Sequence, residues 1–196
     1  MHKLSVLVAG STGYIGVQLI KLLIKHRNVK IKYLCGNSSV GENIFDYDKS
    51  LINKKLPKII RFNKKLLEDV DVIFTALPHG EAQKIAKNLL NNNTLIDLAA
   101  DFRLSKASDY LRWYKKKHKS PELIKKSIYG LPEITGKDIK KYNIIGCPGC
   151  YPTSILLPLI PLIKKRLINL ENIIIDSKSG FSGAGRGVHE KHKKNN

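Results

Sequence analysis

Residues 4–25 read LSVLVAGSTGYIGVQLIKLLIK, and this pattern determines the architecture expected for the chain. Leu4 to Ala9 form a short, almost continuous apolar run of the kind found in parallel strands that are buried on both faces. The segment Gly10 to Gly16 follows, and apolar residues then recur at helical spacing from Val17 to Lys25. The order of strand, glycine turn and helix predicts the first unit of a parallel α/β sheet.

The alternation of strands and helices continues along the chain. Further strands are predicted at Val29–Leu34, Asp71–Leu77, Thr94–Leu98 and Asn143–Gly146, and further helices at Glu81–Leu90 and Thr153–Arg166. The basic segment Ser105–Lys126 is expected to form helical stretches on either side of Pro121, outside the sheet core. Leu170–Asp176 is expected to start another strand. The predicted fold class is therefore α/β, with a Rossmann-type, mostly parallel, doubly wound sheet.

The composition suits a globular chain. Of 196 residues, 42% are hydrophobic and 26% are charged, which allows a buried core and argues against a disordered or collagen-like chain. No apolar run approaches the roughly 18 residues of a membrane-spanning helix, and Met1 leads into a strand pattern instead of a signal peptide. Three cysteines are too few for a disulfide framework. We expect a cytoplasmic protein of one or two domains, with reduced thiols and no membrane partner.

The strong basic excess does not by itself indicate a nucleic-acid partner. The chain has 35 Lys+Arg against 16 Asp+Glu, a net charge of +19. Lysines are scattered through every segment, and the aromatic residues do not interleave with a basic stripe as a stacking platform requires. The densest clusters, Lys115–Lys119 and Lys191–Lys194, are interpreted as solvated surface. We expect no nucleic-acid binding, although a basic field favours anionic ligands.

The glycines of the first turn are spaced as in a dinucleotide site. Gly10, Gly13 and Gly16 follow the pattern G-x-x-G-x-x-G between strand and helix. Such glycines permit a tight turn, close approach of backbone N–H groups to a pyrophosphate, and close packing of helix on strand. The helix N-terminus would hold the diphosphate. The alternative is a merely structural turn.

The segment after the second strand favours NADP over NAD. An NAD site usually has an Asp or Glu there that binds the ribose 2′-hydroxyl. Cys35–Ser39 contains no acid, and Ser38 supplies a hydroxyl donor within a basic chain. The arginine that often holds the 2′-phosphate of NADP is also missing from this segment.

Cys150 is the candidate nucleophile. It lies between a predicted strand and a predicted helix, where the helix dipole and free N–H groups stabilise a thiolate. A buried cysteine that packs as a small hydrophobe is one alternative. Another is a C-x-x-C pair with Cys147, used for redox chemistry or, with His189 and His192, for zinc. The chain has no second cysteine pair, and no metal site is predicted.

Six ordered segments point to one family. They are Gly10–Gly16 (GSTGYIG), Ala76–Gly80 (ALPHG), Asp97–Leu104 (DLAADFRL), Tyr129–Glu133 (YGLPE), Pro148–Thr153 (PGCYPT) and Ser179–Arg186 (SGFSGAGR). With them the chain resembles the N-acetyl-gamma-glutamyl-phosphate reductases of arginine biosynthesis, which are related to aspartate-semialdehyde dehydrogenases. The segments span most of the chain, and the last two distinguish this family from those relatives.

The resemblance implies NADPH-dependent reduction of N-acetyl-gamma-glutamyl phosphate to N-acetyl-glutamate semialdehyde and phosphate. The Cys150 thiolate would attack the acyl carbon, phosphate would depart, and hydride from NADPH would reduce the thioacyl enzyme. Arg103 and Arg186 are candidates for binding the phosphate or carboxylate of the acyl-phosphate substrate, with structural ion pairs as the alternative. His79 is expected to line the nicotinamide side. The predicted cofactor-binding residues are Gly10, Ser11, Thr12, Gly13, Tyr14, Ile15, Gly16, Ser38, Pro78 and His79.

The resemblance also implies a second domain. We expect an NADP-binding Rossmann domain at residues 1–149 and, at 150–196, the truncated start of an α+β catalytic and dimerisation domain. The family's catalytic histidine is expected further on, because His189 and His192 do not match its motif, and the family more often has Asn at the position of Cys147. We therefore expect a fragment of a longer, homo-oligomeric reductase. The alternatives are a related acyl-phosphate reductase of carrier-linked lysine biosynthesis and a non-catalytic NADP-binding remnant.

Overall fold

The computed structural model describes residues 3–186. Within this range the strands are β1 (Leu4–Ala9), β2 (Val29–Cys35), β3 (Ile59–Ile60), β4 (Val72–Thr75), β5 (Thr94–Asp97), β6 (Ser127–Tyr129) and β7 (Ile144–Gly146). They form one sheet in the order β3-β2-β1-β4-β5-β7-β6, and each neighbouring pair is parallel. The predicted α/β class with a parallel, doubly wound sheet is confirmed.

Helices connect the strands and cover the sheet. The α-helices of the described range are α1 (Tyr14–Leu23), α2 (Ala82–Ala86), α3 (Ala107–Tyr114), α4 (Pro121–Ile124), α5 (Pro132–Thr135) and α6 (Cys150–Lys164). Short 3₁₀ helices lie at Ile44–Asp46, Lys49–Leu51, Lys64–Asp69, Gly136–Lys141 and Phe181–Ala184. Between residues 3 and 186, no helix has both the length and the apolar character needed to cross a bilayer.

Strand β1 is buried on both faces, as its continuous apolar run predicts. Leu7 belongs to one apolar cluster with Ile73, whereas Val6 and Val8 belong to a second cluster with Ile20. Helix α2 contributes to the first cluster and α1 to the second. Because successive side chains of a strand point to opposite faces, both faces of the sheet centre are covered.

The expected strand at Leu170–Asp176 is wrong. This segment has no regular secondary structure, and Ile174 within it is 92% exposed. A strand needs a neighbour to satisfy its backbone N–H and C=O groups, and none of the strands between residues 3 and 186 pairs with this segment. A β-branched apolar run is therefore not sufficient to make a strand here.

Two further differences concern the helices. The predicted helix Glu81–Leu90 is only the short α2, whereas α6 begins at Cys150 and runs through Pro158 and Pro161. Helices α3 and α4 form within Ser105–Lys126 as expected. That segment nevertheless contributes to the interior, because Tyr110 is 1% exposed.

Candidate active site

The topology brings four loops to one edge of the sheet. They follow β1, β4, β5 and β7 and contain Gly10–Gly16, Leu77–Gly80, Leu98–Arg103 and Cys147–Cys150. Since parallel strands all end at the same edge, ligands of such sheets bind there, at the point where the strand order reverses. In this sheet the reversal lies between β1 and β4.

The glycine turn after β1 has no room for a side chain at Gly10 or at Gly16. Gly10 has a φ of +83°, and a Cβ on it would lie 2.2 Å from the carbonyl oxygen of Ala76. A Cβ on Gly16 would lie 2.2 Å from the carbonyl oxygen of Gly10. Gly13 is the N-cap of α1, so no capping side chain occupies the space in front of this helix N-terminus. The backbone therefore forms a cradle that fits a dinucleotide's diphosphate.

The side chains predicted to bind the cofactor differ in their freedom to do so. Ser11 is fully buried, and its hydroxyl donates a hydrogen bond to the carbonyl oxygen of Cys35 at 3.2 Å. Its side chain thus joins the ends of β1 and β2. The predicted residues with exposed side chains are Ile15, Ser38, Pro78 and His79. Their contacts with a cofactor stay predictions.

The loop that carries His79 is held from two sides. The His79 ring meets the Tyr114 ring edge-on, with 5.2 Å between centroids. The Gly80 N–H donates to Asp101 Oδ1 at 2.7 Å. The loop after β4 is therefore fixed to α3 and to the loop after β5.

Two buried carboxylates that sequence reasoning gave no role form the centre of this region. Asp101 is 1% exposed, and besides Gly80 it accepts from the Tyr110 hydroxyl and the Gln83 N–H. Asp97 is fully buried and accepts from the Thr75 hydroxyl at 2.7 Å and from the Ala99 and Asp101 N–H groups. The sequence signal for Asp97 was an acidic residue at the end of the apolar run of β5. An acid in such a position is buried with the strand, and buried polar groups are normally hydrogen-bonded.

His118 corrects the interpretation of the basic cluster Lys115–Lys119. The lysines are exposed, but His118 is only 8% exposed. Its Nδ1 accepts from the Ser120 N–H at 3.1 Å, and its Nε2 lies 2.8 Å from the Asp101 carbonyl oxygen. Because Nδ1 accepts a hydrogen bond, Nε2 is the ring nitrogen that donates to the carbonyl. His118 is thus a structural residue within a solvated run.

Asp97 makes the stability of the fold depend on pH. Burial, as the main cause, raises the pKa of its carboxyl to about 6, whereas an unfolded chain has an Asp pKa of about 3.9. Between these values the folded state holds a proton that the unfolded state has released, so stability falls as pH rises through about 4 to 6. We expect the titration of Asp97 to lower the free energy of unfolding by about 2–3 kcal/mol between pH 4 and 7.

Urea unfolding at pH 4 and pH 7 checks this expectation when the wild type is compared with Asp97→Asn. The variant is expected to lose less stability across the interval, whatever its absolute stability, because its amide does not titrate. Lowered pKa values at Asp48 and Asp69 are common to both proteins and cancel in the comparison. An equal pH dependence in the two proteins would contradict the assignment.

Cys150 lies at the first position of α6 and is exposed. The turn before it is tied to the loop after β5, because Arg103 donates from Nε to the Cys147 carbonyl at 2.7 Å and from Nη2 to the Leu98 carbonyl at 3.2 Å. The Cys147 N–H in turn donates to the Asp97 carbonyl at 2.8 Å. Backbone carbonyls thus anchor Arg103 beside the turn Cys147–Cys150.

The other two cysteines are in a different environment. Burial raises the pKa of Cys147 to about 11 and that of Cys35 to about 12, so both are thiols at neutral pH. All three cysteines are free, and residues 3–186 contain no group of three or more His, Cys, Asp or Glu side chains suited to a metal ion. His189 and His192 lie outside the described residues.

Arg186, predicted to bind substrate, lies against the glycine turn. Its Nε donates to the Thr12 carbonyl at 3.1 Å, and its guanidinium carbon is 4.4 Å from the centroid of the Tyr14 ring. Arg103 therefore lies at the turn Cys147–Cys150, and Arg186 lies at the glycine turn after β1. A contact of either residue with substrate stays a prediction.

Comparisons with known proteins agree with this architecture. The family model "Semialdehyde dehydrogenase, NAD binding domain" matches residues 5–142, and "Semialdehyde dehydrogenase, dimerisation domain" matches residues 150–196. Aspartate semialdehyde dehydrogenase II from Vibrio cholerae, complexed with ASA, has a TM-score of 0.62 at 16% identity and covers 99% of this chain and 52% of that chain. The enzyme with NADP from Candida albicans has a TM-score of 0.52 at 20% identity and covers 83% and 47%. At these identities the two structures show the fold alone.

The curated sequence relatives have higher identities to this chain than these two structures have. N-acetyl-gamma-glutamyl-phosphate reductase from Ehrlichia ruminantium (strain Gardel) is 46% identical over 192 residues, which are 97% of this chain and 55% of the relative. The reductase from Clostridium beijerinckii is 47% identical over 182 residues, 92% of this chain and 53% of the relative. The resemblance seen in the sequence is confirmed, and the chain spans about half the length of the curated relatives it matches. The chain belongs to the semialdehyde dehydrogenase family.

Proposed function

We propose that this chain is the cofactor-binding and nucleophile-bearing part of an N-acetyl-gamma-glutamyl-phosphate reductase. The observation that carries the proposal is the shared edge of the sheet, where an open helix N-terminus behind a glycine turn and the exposed Cys150 both follow parallel strands. The 46% identity to the Ehrlichia ruminantium reductase supports the same substrate, N-acetyl-gamma-glutamyl phosphate.

The cofactor in this proposal is NADP(H). Its diphosphate binds at the N-terminus of α1, where Gly10, Gly13 and Gly16 let the backbone approach. Ser38, in a loop without a carboxylate, would contact the adenosine, and the loop that contains His79 would line the nicotinamide. When bound, NADPH supplies the hydride for the reduction.

Cys150 performs the covalent step. Its thiolate forms an S–C bond to the acyl carbon while the C–O bond to the phosphate breaks, so phosphate leaves with the electron pair. The thioester carbon then accepts a hydride, the S–C bond breaks, and the aldehyde and the thiolate are released. Cys150 is the first residue of α6 and is exposed, so its Sγ is accessible to a substrate at this edge of the sheet.

Arg103 binds the anionic part of the substrate. Two backbone carbonyls hold its Nε and Nη2, and a Cβ placed on Gly149 would lie 3.2 Å from Nη1. The remaining guanidinium edge therefore lies next to the turn that presents Cys150. A guanidinium held in this way offers a preorganised donor to phosphate or carboxylate.

The reverse reaction tests the proposed function. The full-length protein that contains this chain is mixed with NADP⁺, N-acetyl-glutamate semialdehyde and inorganic phosphate, and NADPH absorbance is followed. We expect an increase only when all three are present, because phosphate must attack the thioester to release the enzyme. An unchanged rate without phosphate would contradict acyl-phosphate chemistry. NADPH binding without turnover would favour the non-catalytic NADP-binding module, and turnover only of a carrier-linked aldehyde would favour the lysine-pathway reductase.

The proposed enzyme is a homo-oligomer. The match of residues 150–196 to a dimerisation domain supports this, and light scattering of the purified protein measures it. A cytoplasmic location stays a prediction.

A further inference from the structure

Arg186 contacts a part of the molecule far from it in sequence. Its Nε–H donates to the carbonyl oxygen of Thr12, 174 positions earlier, at 3.1 Å. Its guanidinium carbon lies 4.4 Å from the centroid of the Tyr14 ring and 5.6 Å from that of Tyr47. A cation over aromatic faces is attracted by the ring quadrupoles, so three contacts fix this side chain over the start of α1.

Within residues 3–186, Nε is the guanidinium nitrogen of Arg186 that makes a hydrogen bond. Nε is the atom engaged with Thr12, and none of the ion pairs among residues 3–186 includes Arg186. The Glu42 carboxylate accepts a hydrogen bond from the hydroxyl of Tyr47, one of the two rings that Arg186 contacts. A positive charge with a preorganised planar fork, next to a cradle for an anionic cofactor, is suited to a phosphate.

The contact with Tyr47 indicates which phosphate of the cofactor Arg186 would bind. Tyr47 follows the loop Cys35–Ser39 at the end of β2, and in doubly wound folds the adenosine ribose lies on that side of the glycine turn. The loop itself contains no arginine. We infer that Arg186 binds the 2′-phosphate of NADP(H), and that the SGFSGAGR segment thereby supplies the guanidinium that is missing after β2. This inference rests on the proposed binding of NADP(H) and gives Arg186 a role on the cofactor side instead of the substrate side.

Binding measurements on the whole chain test the inference without need of turnover. NADPH and NADH are titrated by fluorescence, and adenosine 2′,5′-bisphosphate and adenosine 5′-phosphate by calorimetry, against the wild type, Arg186→Met and Arg186→Lys. We expect Arg186→Met to weaken the binding of NADPH and of the bisphosphate by about 10- to 100-fold. Arg186→Lys should weaken their binding less, because it keeps the charge. NADH and adenosine 5′-phosphate should change little.

Arg112→Met is the matched control. Arg112 is exposed on α3 and lies over the Trp113 ring at 5.6 Å, so this variant also removes one positive charge and one cation–aromatic contact. Its affinity for NADPH should equal that of the wild type, and thermal unfolding of each variant verifies that it is folded.

The outcomes separate the possibilities. If Arg186→Met weakened the binding of NADPH and of NADH equally, Arg186 would contact the diphosphate, and the proposed contact with the 2′-phosphate would be overturned. Unchanged NADPH affinity in a folded Arg186→Met would overturn any cofactor role. A wild-type chain that binds neither nucleotide would overturn the proposed cofactor binding and this inference with it.

Discussion

Replacement of Cys150 by alanine is expected to reduce the phosphate-dependent oxidation of the semialdehyde by at least about 10⁴-fold. The reason is that the variant has no group at the start of α6 that can form the thioester. NADPH affinity should remain, because the residue lies after β7 and not at the glycine turn. The measurement is the initial rate in the reverse assay, together with NADPH binding by fluorescence.

Cys147→Ala is the control for that experiment. The two bonds that position the turn use the backbone N–H and carbonyl of Cys147, so the substitution keeps them, and activity should change by only a few-fold. Iodoacetamide at neutral pH should modify Cys150 alone, since pKa values of about 11 and 12 leave Cys147 and Cys35 protonated. Preferential labelling of Cys147, or activity that survives in Cys150→Ala, would identify another nucleophile.

Gly10→Ala is expected to destabilise the fold by about 3–5 kcal/mol and to abolish measurable NADPH binding. Two costs add together. The φ of +83° is strained for an L-residue, and the new Cβ would lie 2.2 Å from the Ala76 carbonyl oxygen, which belongs to the backbone and cannot rotate away. Denaturant unfolding and NADPH fluorescence measure the two effects.

Gly41→Ala separates those costs. Gly41 has a similar φ of +90°, but no atom lies within 4 Å of a Cβ built on it. Its substitution should therefore cost only the backbone strain, about 1–2 kcal/mol, with NADPH binding retained. Equal destabilisation by the two substitutions would show that the contact with Ala76 has no energetic importance.

Local sequence predicts those parts of the fold whose pattern is long and regular. The run Leu4–Ala9 predicts a strand with the observed bounds, because a strand at the sheet centre requires apolar side chains on both faces. The strands Ile59–Ile60 and Ser127–Tyr129 are two and three residues long, too short for any periodicity. Leu170–Asp176 has a strand's composition but no partner among the described strands.

The candidate site is partly predictable for a similar reason. Glycine spacing identifies the cofactor turn, since backbone geometry itself demands glycine at Gly10 and Gly16. The contacts of Arg186 with Thr12 and Tyr14 were not predictable, because they join residues more than 170 positions apart through the tertiary fold. Asp97 and Asp101 were inside a recognised motif, but their function as buried acceptors depends on neighbours that only the fold supplies.

The buried Asp101 carboxylate has a mechanical consequence for the reaction. Asp101 holds Gly80, next to His79, while Arg103 holds the Cys147 carbonyl, three residues before Cys150. Only Phe102 lies between Asp101 and Arg103. Because Phe102 is 1% exposed and packed in the core, this segment has little freedom to move. A displacement of the loop that contains His79 must therefore either break the hydrogen bond from Gly80 to Asp101 or pull on the turn before Cys150. In the proposed reaction, one short rigid segment of backbone would therefore keep the hydride donor and the thioester aligned.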